Sequence, residues 1–340
     1  MTQELKRRSD DRPLWDVICW TIGTRAVIAA QRLKLFPLLG ERPRTLEEIC
    51  GSLSIAPRPA QAMLSACASL GLVKPSGGRF SLTPVAEDYL LPTSPTYFGR
   101  FLDFAMIVNE GLYSLQTVQK ALATGQAQVY GTGELFKSHE EQAALMRGFT
   151  EMMHDHSIGN ALVWPDKVDL SSTRLMLDVA GGSGAHSIGA TRRWPKLQAL
   201  VFEIPPVCPV TEEFAARYGL SDRIRTQPGD MWKDPFPKAD LHFYADIFHD
   251  WPPEKCRFLA KKSFDALEPG GRIILHEMLF DDDKSGPFAT AAYSFAMSLW
   301  TEGQQFSAKE LAALLSEAGF RDVEAKPSVG YFSIVVGRKP

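Results

Sequence analysis

A histidine stands where α/β enzymes commonly place catalytic groups. His249 lies in the run 246–251 (DIFHDW), directly after a strand-like apolar run, 241–245. Open α/β sheets bind ligands outside the carboxyl ends of their strands, and imidazole titrates near neutral pH. Glu277 follows the next strand-like run and is placed to orient the imidazole. The pattern predicts a general base, with a histidine that caps the helix beginning near Pro253 as an equal alternative.

A glycine-rich turn follows another strand-like run, in the stretch 177–184 (LDVAGGSG). Glycines let the backbone approach a ligand, and the next helix offers free N–H groups. Glu203 ends the following strand, at the spacing that places a carboxylate on ribose hydroxyls. Asp230 and Met231, after a third strand, could hold an adenine, although this pair alone indicates nothing, and the prediction depends on the glycine turn and Glu203. Together these features predict a nucleoside cofactor, and the alternative is a structural turn and a surface carboxylate.

The elements that must position these groups alternate between strands and helices after residue 171. This alternation predicts an α/β domain with a parallel, doubly wound sheet. Strands are predicted at 175–179, 200–204, 224–226, 241–245, 272–276, 323–325 and 331–337. Helices are predicted between them, among others at 186–194, 210–218, 254–267 and 308–318.

The N-terminal part has the outline of a winged helix-turn-helix. A helix is predicted over 14–39, a second begins at the capping pair Thr45 and Glu48, a third covers 59–70, and a hairpin covers 72–82. A helix that enters the DNA major groove needs cations, and the stretch 59–70 contains no lysine or arginine. We therefore expect this part to pack against a partner chain and not to bind nucleic acid.

Two further helices, predicted over 97–123 and 139–164, are rich in methionine and aromatic residues, which build adaptable walls for flat apolar ligands. Ordinary core packing is the alternative for most of them. The residues predicted to line a substrate pocket are Phe101, Phe104, Tyr113, Met152, Met153 and His156. The chain is accordingly divided into a winged-helix domain (1–95), a helical region that lines the substrate pocket (96–165) and a catalytic domain (166–340).

Composition excludes several other classes of protein. Hydrophobic residues make up 45 % of the 340 residues, charged residues 23 %, and the net charge is −3, so no global basic field attracts nucleic acid or anionic lipid. The five cysteines form no CxxC pair, which argues against a zinc or redox motif. No apolar run has the length of a membrane span or signal peptide, and we expect a cytoplasmic protein.

Taken in order, these motifs resemble the class I small-molecule O-methyltransferases of the caffeate, acetylserotonin and phenazine type, over nearly the whole chain. His249-Asp250-Trp251, followed by Glu254 and Cys256, matches the family pattern H-D-W-x-x-E-x-C. The segment 149–157 (FTEMMHDHS) is similar to the plant pattern F-x-x-x-M-S-D-H-S. The resemblance implies a Rossmann-like domain whose last strand is antiparallel, a winged-helix dimerisation domain and a homodimer.

The resemblance also implies S-adenosylmethionine as the cofactor, S-adenosylhomocysteine as its product, no metal, and a small aromatic acceptor. His249 would remove the proton of the acceptor hydroxyl, and Glu277 would hold the imidazole. The methionine part of the cofactor would be cradled by Asp178, Gly181, Gly182 and Gly184. Glu203 would bind the ribose hydroxyls. The remaining cofactor contacts would come from Asp230, Met231, Trp251 and Ser157.

Two positions depart from the plant pattern. Gln305 stands where a second supporting glutamate is usual, and a glutamine accepts a hydrogen bond but supplies no charge to an imidazolium. Ala245 and Asp246 stand where a lysine is usual. We expect either a weaker base or an orienting role carried by Glu277 alone.

Other functions stay open on the sequence. The nearest is a metal-dependent C-methyltransferase of 2-oxo acids, with His249 and Asp250 as two ligands. The segment 293–306 lacks the expected third histidine, and the possible substitutes are His154, His156 and His276. A regulator that senses S-adenosylmethionine and binds DNA is disfavoured by the helix without cations, and a non-catalytic partner by the presence of His249 with Glu277.

Overall fold

The computed structural model describes residues 9–108, 110–129 and 143–340, and the chain divides into two compact units, Met1–Val108 and Asn109–Pro340. The boundary falls inside the helical region predicted over 96–165. The three-part division of the chain stays a prediction.

The first unit is mainly helical. Its helices are α1 (Arg12–Arg32), α2 (Leu35–Glu41), α3 (Leu46–Leu53), α4 (Pro57–Ser69), α5 (Pro84–Leu90) and α6 (Gly99–Asp103). Its strands are β1 (Arg44–Thr45), β2 (Val73–Ser76) and β3 (Arg79–Leu82), which form an antiparallel sheet in the order β1-β3-β2. Helix α3 begins with the predicted capping box, in which the Thr45 hydroxyl accepts from Glu48 N–H and the Glu48 carboxylate accepts from Thr45 N–H.

The structure corrects three helix predictions. The helix predicted over 14–39 is two helices, because Lys34 adopts a left-handed φ of 62° between α1 and α2. Helix α4 begins at Pro57, two residues earlier than predicted, and so carries one cation, Arg58. The helix predicted over 97–123 is interrupted after α6 by a π-helical turn, Phe104–Val108, and a new helix begins beyond it.

The N-terminal half of helix α1 carries large apolar side chains that the first unit leaves uncovered. Its exposed large side chains are Leu14, Trp15, Val17, Ile18, Trp20 and Ile22. A contiguous set of large apolar side chains on a water-exposed helix marks an interaction surface.

The second unit is built around one large sheet. Its helices are α7 (Leu115–Thr124), α8 (Ala143–Ala161), α9 (Ala185–Arg193), α10 (Cys208–Arg217), α11 (Pro253–Ala266), α12 (Phe288–Trp300) and α13 (Ala308–Ala318). Its strands are β4 (Leu175–Val179), β5 (Gln198–Glu203), β6 (Ile224–Pro228), β7 (Leu241–Ala245), β8 (Arg272–Met278), β9 (Arg321–Pro327) and β10 (Phe332–Arg338). Residues 139–142 of the helix predicted over 139–164 lie outside the described residues.

The sheet has the order β6-β5-β4-β7-β8-β10-β9, and strands β4 to β8 are parallel. Strand β10 runs antiparallel to both β8 and β9, as the sequence predicted. Both faces of the sheet are buried against helices: Trp164 stacks on Phe243 of β7 at 4.4 Å on one face, and Phe248 and Leu259 lie in the core of the other. Strand β5 lies on one side of β4, and β7 lies on the other. The direction in which strands are added therefore reverses next to β4, and such a switch point is where open α/β sheets bind ligands.

No helix within residues 9–108, 110–129 and 143–340 is both long and apolar enough to span a membrane.

Candidate active site

A cavity of about 620 Å³ lies within the second unit, at the carboxyl ends of β4, β5 and β7. Eight of the nine residues that the sequence assigned to the cofactor line it: Asp178, Gly181, Gly182, Glu203, Asp230, Met231, Trp251 and Ser157. The ninth, Gly184, is the N-cap of α9 and has a left-handed φ of 73°. Most of the assigned residues therefore share one cavity, and their contacts with the cofactor stay a prediction.

The glycine-rich turn packs tightly against the end of β4. Asp178 is buried and its carboxylate accepts a hydrogen bond of 2.6 Å from the Ser187 hydroxyl. A Cβ at Gly181 would lie 2.5 Å from Cγ of Asp178, so only glycine fits there. Burial raises the pKa of Asp178 to about 6, against the opposing effect of its hydrogen bonds with Ser187.

Glu203 ends β5 beside this turn. One carboxylate oxygen accepts from Gly182 N–H at 3.2 Å, and the other accepts from Ile204 N–H at 2.6 Å. Burial raises the pKa of Glu203 to about 7, although both N–H groups favour the ionised form. The backbone therefore fixes the carboxylate in the cavity wall, and its remaining lone pairs are available to ligand hydroxyls.

An aromatic wall closes the cavity near Asp230 and Met231. Trp251 is buried and meets the Trp232 ring edge to face, with ring centroids 4.8 Å apart. The Lys255 ammonium lies 4.5 Å from the centroid of the Trp251 ring and pairs with Glu302. These flat apolar faces beside a hydrogen-bonding carboxylate suit a nucleobase.

The predicted base and its carboxylate are in contact. His249 Nδ1 lies 2.6 Å from a carboxylate oxygen of Glu277, and both side chains are almost fully buried. The other Glu277 oxygen accepts from Phe248 N–H at 2.9 Å, which holds the carboxylate in place. With Nδ1 engaged, the second ring nitrogen, Nε2, is left for chemistry.

The pKa of His249 is raised to about 10. Burial alone would lower it, but the charge and hydrogen bond of Glu277, together with the charges of Asp250 and Asp246, outweigh burial. The His249 imidazole therefore carries a proton at neutral pH when no ligand is bound.

Asp246 and Asp250 flank His249 in sequence and, unlike His249 and Glu277, line the described cavity. An Asp250 oxygen lies 3.7 Å from Nε2 of His249, and an Asp246 oxygen lies 3.9 Å from Nδ1. Burial raises the pKa of Asp250 to about 6 and that of Asp246 to about 8. Three carboxylates thus surround a single imidazole.

Gln305 is fully buried, but its amide atoms have no hydrogen-bond partner within the part of the chain that the structure describes. The loop that carries Gln305 packs closely against the backbone of His249 at Gly303, where a Cβ would lie 2.0 Å from the His249 carbonyl oxygen. The hydrogen bond to the imidazole that a glutamine at this position could make is not formed. Among the residues that the structure describes, Glu277 is the side chain that hydrogen-bonds to the His249 ring, and its role in orienting the base stays a prediction.

The predicted substrate residues do not gather at this cavity. Met153 lines it, whereas Met152 and His156 are buried without lining the cavity as described, and Tyr113 is 42 % exposed. Phe101 and Phe104 belong to the first unit. The substrate-pocket assignment stays a prediction.

One group of potential metal ligands occurs among the described residues: Asp246, His249 and Glu277, whose donor atoms lie within 4.8 Å of one another. It differs from the set expected for a metal-dependent enzyme, because Asp250, His154 and His276 are not part of it. The short hydrogen bond between His249 and Glu277 occupies Nδ1 and favours proton transfer over metal binding.

Sequence reasoning missed several lining residues, above all Asp246 and His186. Asp246 was noted only as a departure from a family pattern. Its position directly after β7, at the switch point of the sheet, was the signal that could have identified it. His186 follows the glycine turn at the start of α9, in a stretch where the pattern directed attention only to the glycines.

The fold and cavity together define a class of protein. A parallel sheet with its glycine turn, a carboxylate fixed by backbone N–H groups, an aromatic wall and a buried base beside them fit a nucleoside-type cofactor and an acid–base reaction. These are the parts of a Rossmann-like transferase.

Comparison with known proteins is consistent with that class. Residues 115–321 match the family model of the O-methyltransferase domain, and residues 15–92 match that of the O-methyltransferase dimerisation domain. The chain therefore belongs to the O-methyltransferase family, whose methyl donor is S-adenosylmethionine.

Three relatives illustrate the range of the family. The 3-hydroxy-5-methyl-1-naphthoate 3-O-methyltransferase of Streptomyces sahachiroi is 32 % identical over 93 % of this chain and 92 % of its own. The L-tyrosine C(3)-methyltransferase of Streptomyces lavendulae is 32 % identical over 86 % of this chain and 82 % of its own. The crystal structure of human N-acetylserotonin methyltransferase in complex with S-adenosylmethionine is 28 % identical, with a TM-score of 0.82 over 99 % of both chains.

Proposed function

We propose that this enzyme methylates a hydroxyl group of a small aromatic molecule, with His249 as the general base. The observation that carries the proposal is the buried 2.6 Å contact between His249 Nδ1 and Glu277 at the edge of the cofactor cavity. The full-length similarity to a naphthoate O-methyltransferase supports an aromatic acceptor.

The cavity fits the cofactor through its own polar groups. The Glu203 carboxylate is positioned for two ribose hydroxyls, the Trp251 wall for the adenine, and the backbone of Gly181 and Gly182 for the amino-acid part. When bound, S-adenosylmethionine supplies a methyl group that its sulfonium makes electrophilic.

The residues around His249 would move one proton. Glu277 would hold the imidazole through Nδ1, so that Nε2 could accept the proton of the acceptor hydroxyl. The acceptor oxygen could then take the methyl group that the cofactor would supply, with cleavage of its S–CH3 bond and release of S-adenosylhomocysteine. Because the pKa of His249 is raised to about 10, the imidazole must first lose its resting proton. Positive charge brought into this group of carboxylates favours that loss.

A methyl-transfer assay tests the proposal. We would follow labelled methyl from S-adenosylmethionine to a panel of phenols and 2-oxo acids, with wild type, His249→Ala and His242→Gln. His242 is buried on β7 and contacts Ser263 instead of the cavity, so it serves as the matched control. We expect label on a phenol oxygen and a loss of roughly two to four orders of magnitude in His249→Ala alone.

The proposal fails if His249→Ala, shown by its melting temperature and cofactor affinity to be folded, transfers methyl groups like wild type. Label on the carbon of a 2-oxo acid, abolished by a chelator, would favour the metal-dependent alternative instead.

A second candidate is methylation of a ring carbon next to a phenol, which the similarity to a tyrosine C(3)-methyltransferase favours. The same base serves both reactions, because a phenolate carries nucleophilic density on its oxygen and on the adjacent ring carbons. The two are separated by the ¹³C NMR shift of the transferred methyl group, near an aryl ether or near an aryl carbon.

We propose a homodimer formed through the N-terminal domain, supported by the match to the dimerisation domain and by the exposed apolar side chains of α1. Sedimentation equilibrium should then give twice the chain mass of 37.7 kDa. We also propose a cytoplasmic location, which the five unpaired cysteines support. Fractionation of the source cells tests it.

A further inference from the structure

Asp246 is held in an unusual conformation at the centre of the site. It follows β7 directly, has a left-handed φ of 55°, and its backbone N–H donates to the His276 carbonyl at 3.1 Å. A residue other than glycine is uncommon in this region, and such strain persists only where the surrounding structure maintains it. The conformation places the carboxylate in the cavity wall.

The Asp246 carboxylate is not satisfied by the protein. One oxygen, Oδ1, is buried and has no hydrogen-bond partner among residues 9–108, 110–129 and 143–340. The nearest ring nitrogens are Nδ1 of His156, 3.6 Å from Oδ2, and Nδ1 of His249, which Glu277 already engages. Burial, with the charge of His249, lowers the pKa of His156 to about 4, so His156 supplies no positive charge at neutral pH.

The surroundings of Asp246 carry an excess of negative charge. Among the described residues, Asp246, Asp250 and Glu277 face a single cation, the His249 imidazolium. Burial raises the pKa of Asp246 to about 8, so Asp246 holds a proton when no ligand is bound, and the other two carboxylates still outnumber the imidazolium. The two lysines that line the cavity pair elsewhere: Lys255 with Glu302 at 2.7 Å and Lys233 with Asp230 at 2.8 Å. Within the described part of the chain, no lysine or arginine pairs with any of these three carboxylates. A buried charge without a partner is either neutralised by a proton or balanced by a cation, and a ligand that brings a cation beside Oδ1 would replace the proton that Asp246 otherwise holds.

We propose that Asp246 is a cation-binding carboxylate, which recognises a positively charged group of the bound ligand, either a sulfonium or an ammonium, beside His249. The inference rests on the proposed function only in placing the ligand in this cavity. A neutral hydroxyl would satisfy Oδ1 but would leave the charge excess unchanged. The cofactor brings a sulfonium, and a phenol with an aminoalkyl side chain would bring an ammonium.

Binding measurements without turnover test the proposal and separate the two sources of charge. Calorimetry would compare S-adenosylmethionine with S-adenosylhomocysteine, which lacks only the methyl group and the sulfonium charge. With S-adenosylhomocysteine bound, tyramine would be compared with neutral 4-ethylphenol. The proteins would be wild type, Asp246→Asn and Asp265→Asn. Asn tolerates a left-handed φ, and Asp265 is an exposed carboxylate on α11 that pairs with Lys261.

We expect wild type and Asp265→Asn to bind the cationic ligand more tightly than the neutral ligand in at least one of the two pairs. In Asp246→Asn, the ratio of the two affinities should fall roughly ten- to a hundredfold. Loss in the first pair assigns Asp246 to the sulfonium, and loss in the second pair assigns it to an ammonium of the acceptor. Unchanged affinity for S-adenosylhomocysteine would show that Asp246→Asn retains its fold and cavity.

Equal preferences in wild type and Asp246→Asn, with normal binding of S-adenosylhomocysteine, would overturn this inference and leave the proposed function standing. Failure of wild type to bind either cofactor form would overturn the proposed function, and this inference with it. If Asp246→Asn loses S-adenosylhomocysteine as well, Asp246→Ser provides the comparison, and a preference unchanged there also overturns the inference.

Discussion

The two sides of the cavity differ in whether their buried acids have hydrogen-bond partners of their own within the protein. On the cofactor side, at the ends of β4 and β5, each acid has a partner within the protein: Asp178 bonds to Ser187, and Glu203 to two backbone N–H groups. On the base side, at the ends of β7 and β8, Asp246, Asp250 and Glu277 share one imidazole. In the proposed function, the first side binds hydroxyl groups through carboxylates that the protein already holds in place, and the second gains charge balance from a cation of the ligand.

The difference shows how one fold separates binding from chemistry. A carboxylate fixed by backbone N–H groups keeps its geometry whether or not a ligand is present. A group of carboxylates around a histidine changes its protonation when a charged ligand arrives, so its pKa values depend on what is bound. Cofactor recognition is therefore expected to be robust to substitution, and proton transfer to be sensitive.

The largest effect in this comparison is expected for Glu277→Gln. The substitution keeps the shape but removes the charge that favours protonation of His249, and loss of a hydrogen bond to a charged group costs roughly 1.5–3 kcal/mol, or about ten- to a hundredfold in kcat. The base works only when neutral, so activity appears as pH rises through the pKa of His249. Removing the Glu277 charge lowers that pKa, and the rising limb of the kcat profile should move to lower pH.

The measurement is kcat from pH 6 to pH 10, with Glu317→Gln as the control, since Glu317 is exposed and pairs with Arg257. A lower kcat with an unmoved limb would show that Glu277 only orients the ring, and the comparison between the two sides would weaken.

A smaller effect, roughly tenfold in Kd, is expected for Glu203→Gln on the cofactor side. Because the pKa of Glu203 is raised to about 7, the carboxylate is partly protonated at neutral pH, and ligand hydroxyls donate to its ionised form. The affinity of wild type for S-adenosylhomocysteine should therefore increase between pH 6 and pH 8.

Calorimetric titration across that range checks this expectation. In Glu203→Gln the affinity should be weaker and its increase with pH smaller, while Glu212→Gln, an exposed glutamate on α10, should behave as wild type. A pH profile identical in all three proteins would remove Glu203 from the ribose site.

The same contrast explains what the sequence could predict. Strands β4, β5, β7 and β8 were predicted close to their observed bounds, because parallel strands buried on both faces are largely apolar runs. Strand β6, at the edge of the sheet, is mostly exposed, and its last two residues escaped prediction. The glycine turn and Glu203 could be singled out from the sequence, since a glycine turn and an acid at a fixed spacing are local features of the chain, and the structure places them in one cavity. The charge excess around Asp246 was not predicted from the sequence, because it arises only when two strand ends and an adjacent loop come together in the fold. The break between α6 and α7 escaped prediction because the apolar spacing continues through the π-helical turn.

Gln305 makes no hydrogen bond to the His249 imidazole, although the sequence suggested this role for it. Substitution of Gln305 is therefore expected to have the smallest effect on activity. Its buried amide has no hydrogen-bond partner within the described residues, and such a group destabilises a fold by about 1–3 kcal/mol. Gln305→Met, of similar volume, should raise the melting temperature or leave it unchanged, and alter kcat/KM by less than about threefold. Gln305→Glu should lower the melting temperature, because it adds a buried carboxylate near a group that is already short of positive charge. A tenfold fall in kcat/KM for the methionine variant, with its fold intact, would restore Gln305 as a support of His249. Proton transfer by His249 would then depend on a neutral hydrogen-bonding side chain as well as on the surrounding carboxylates.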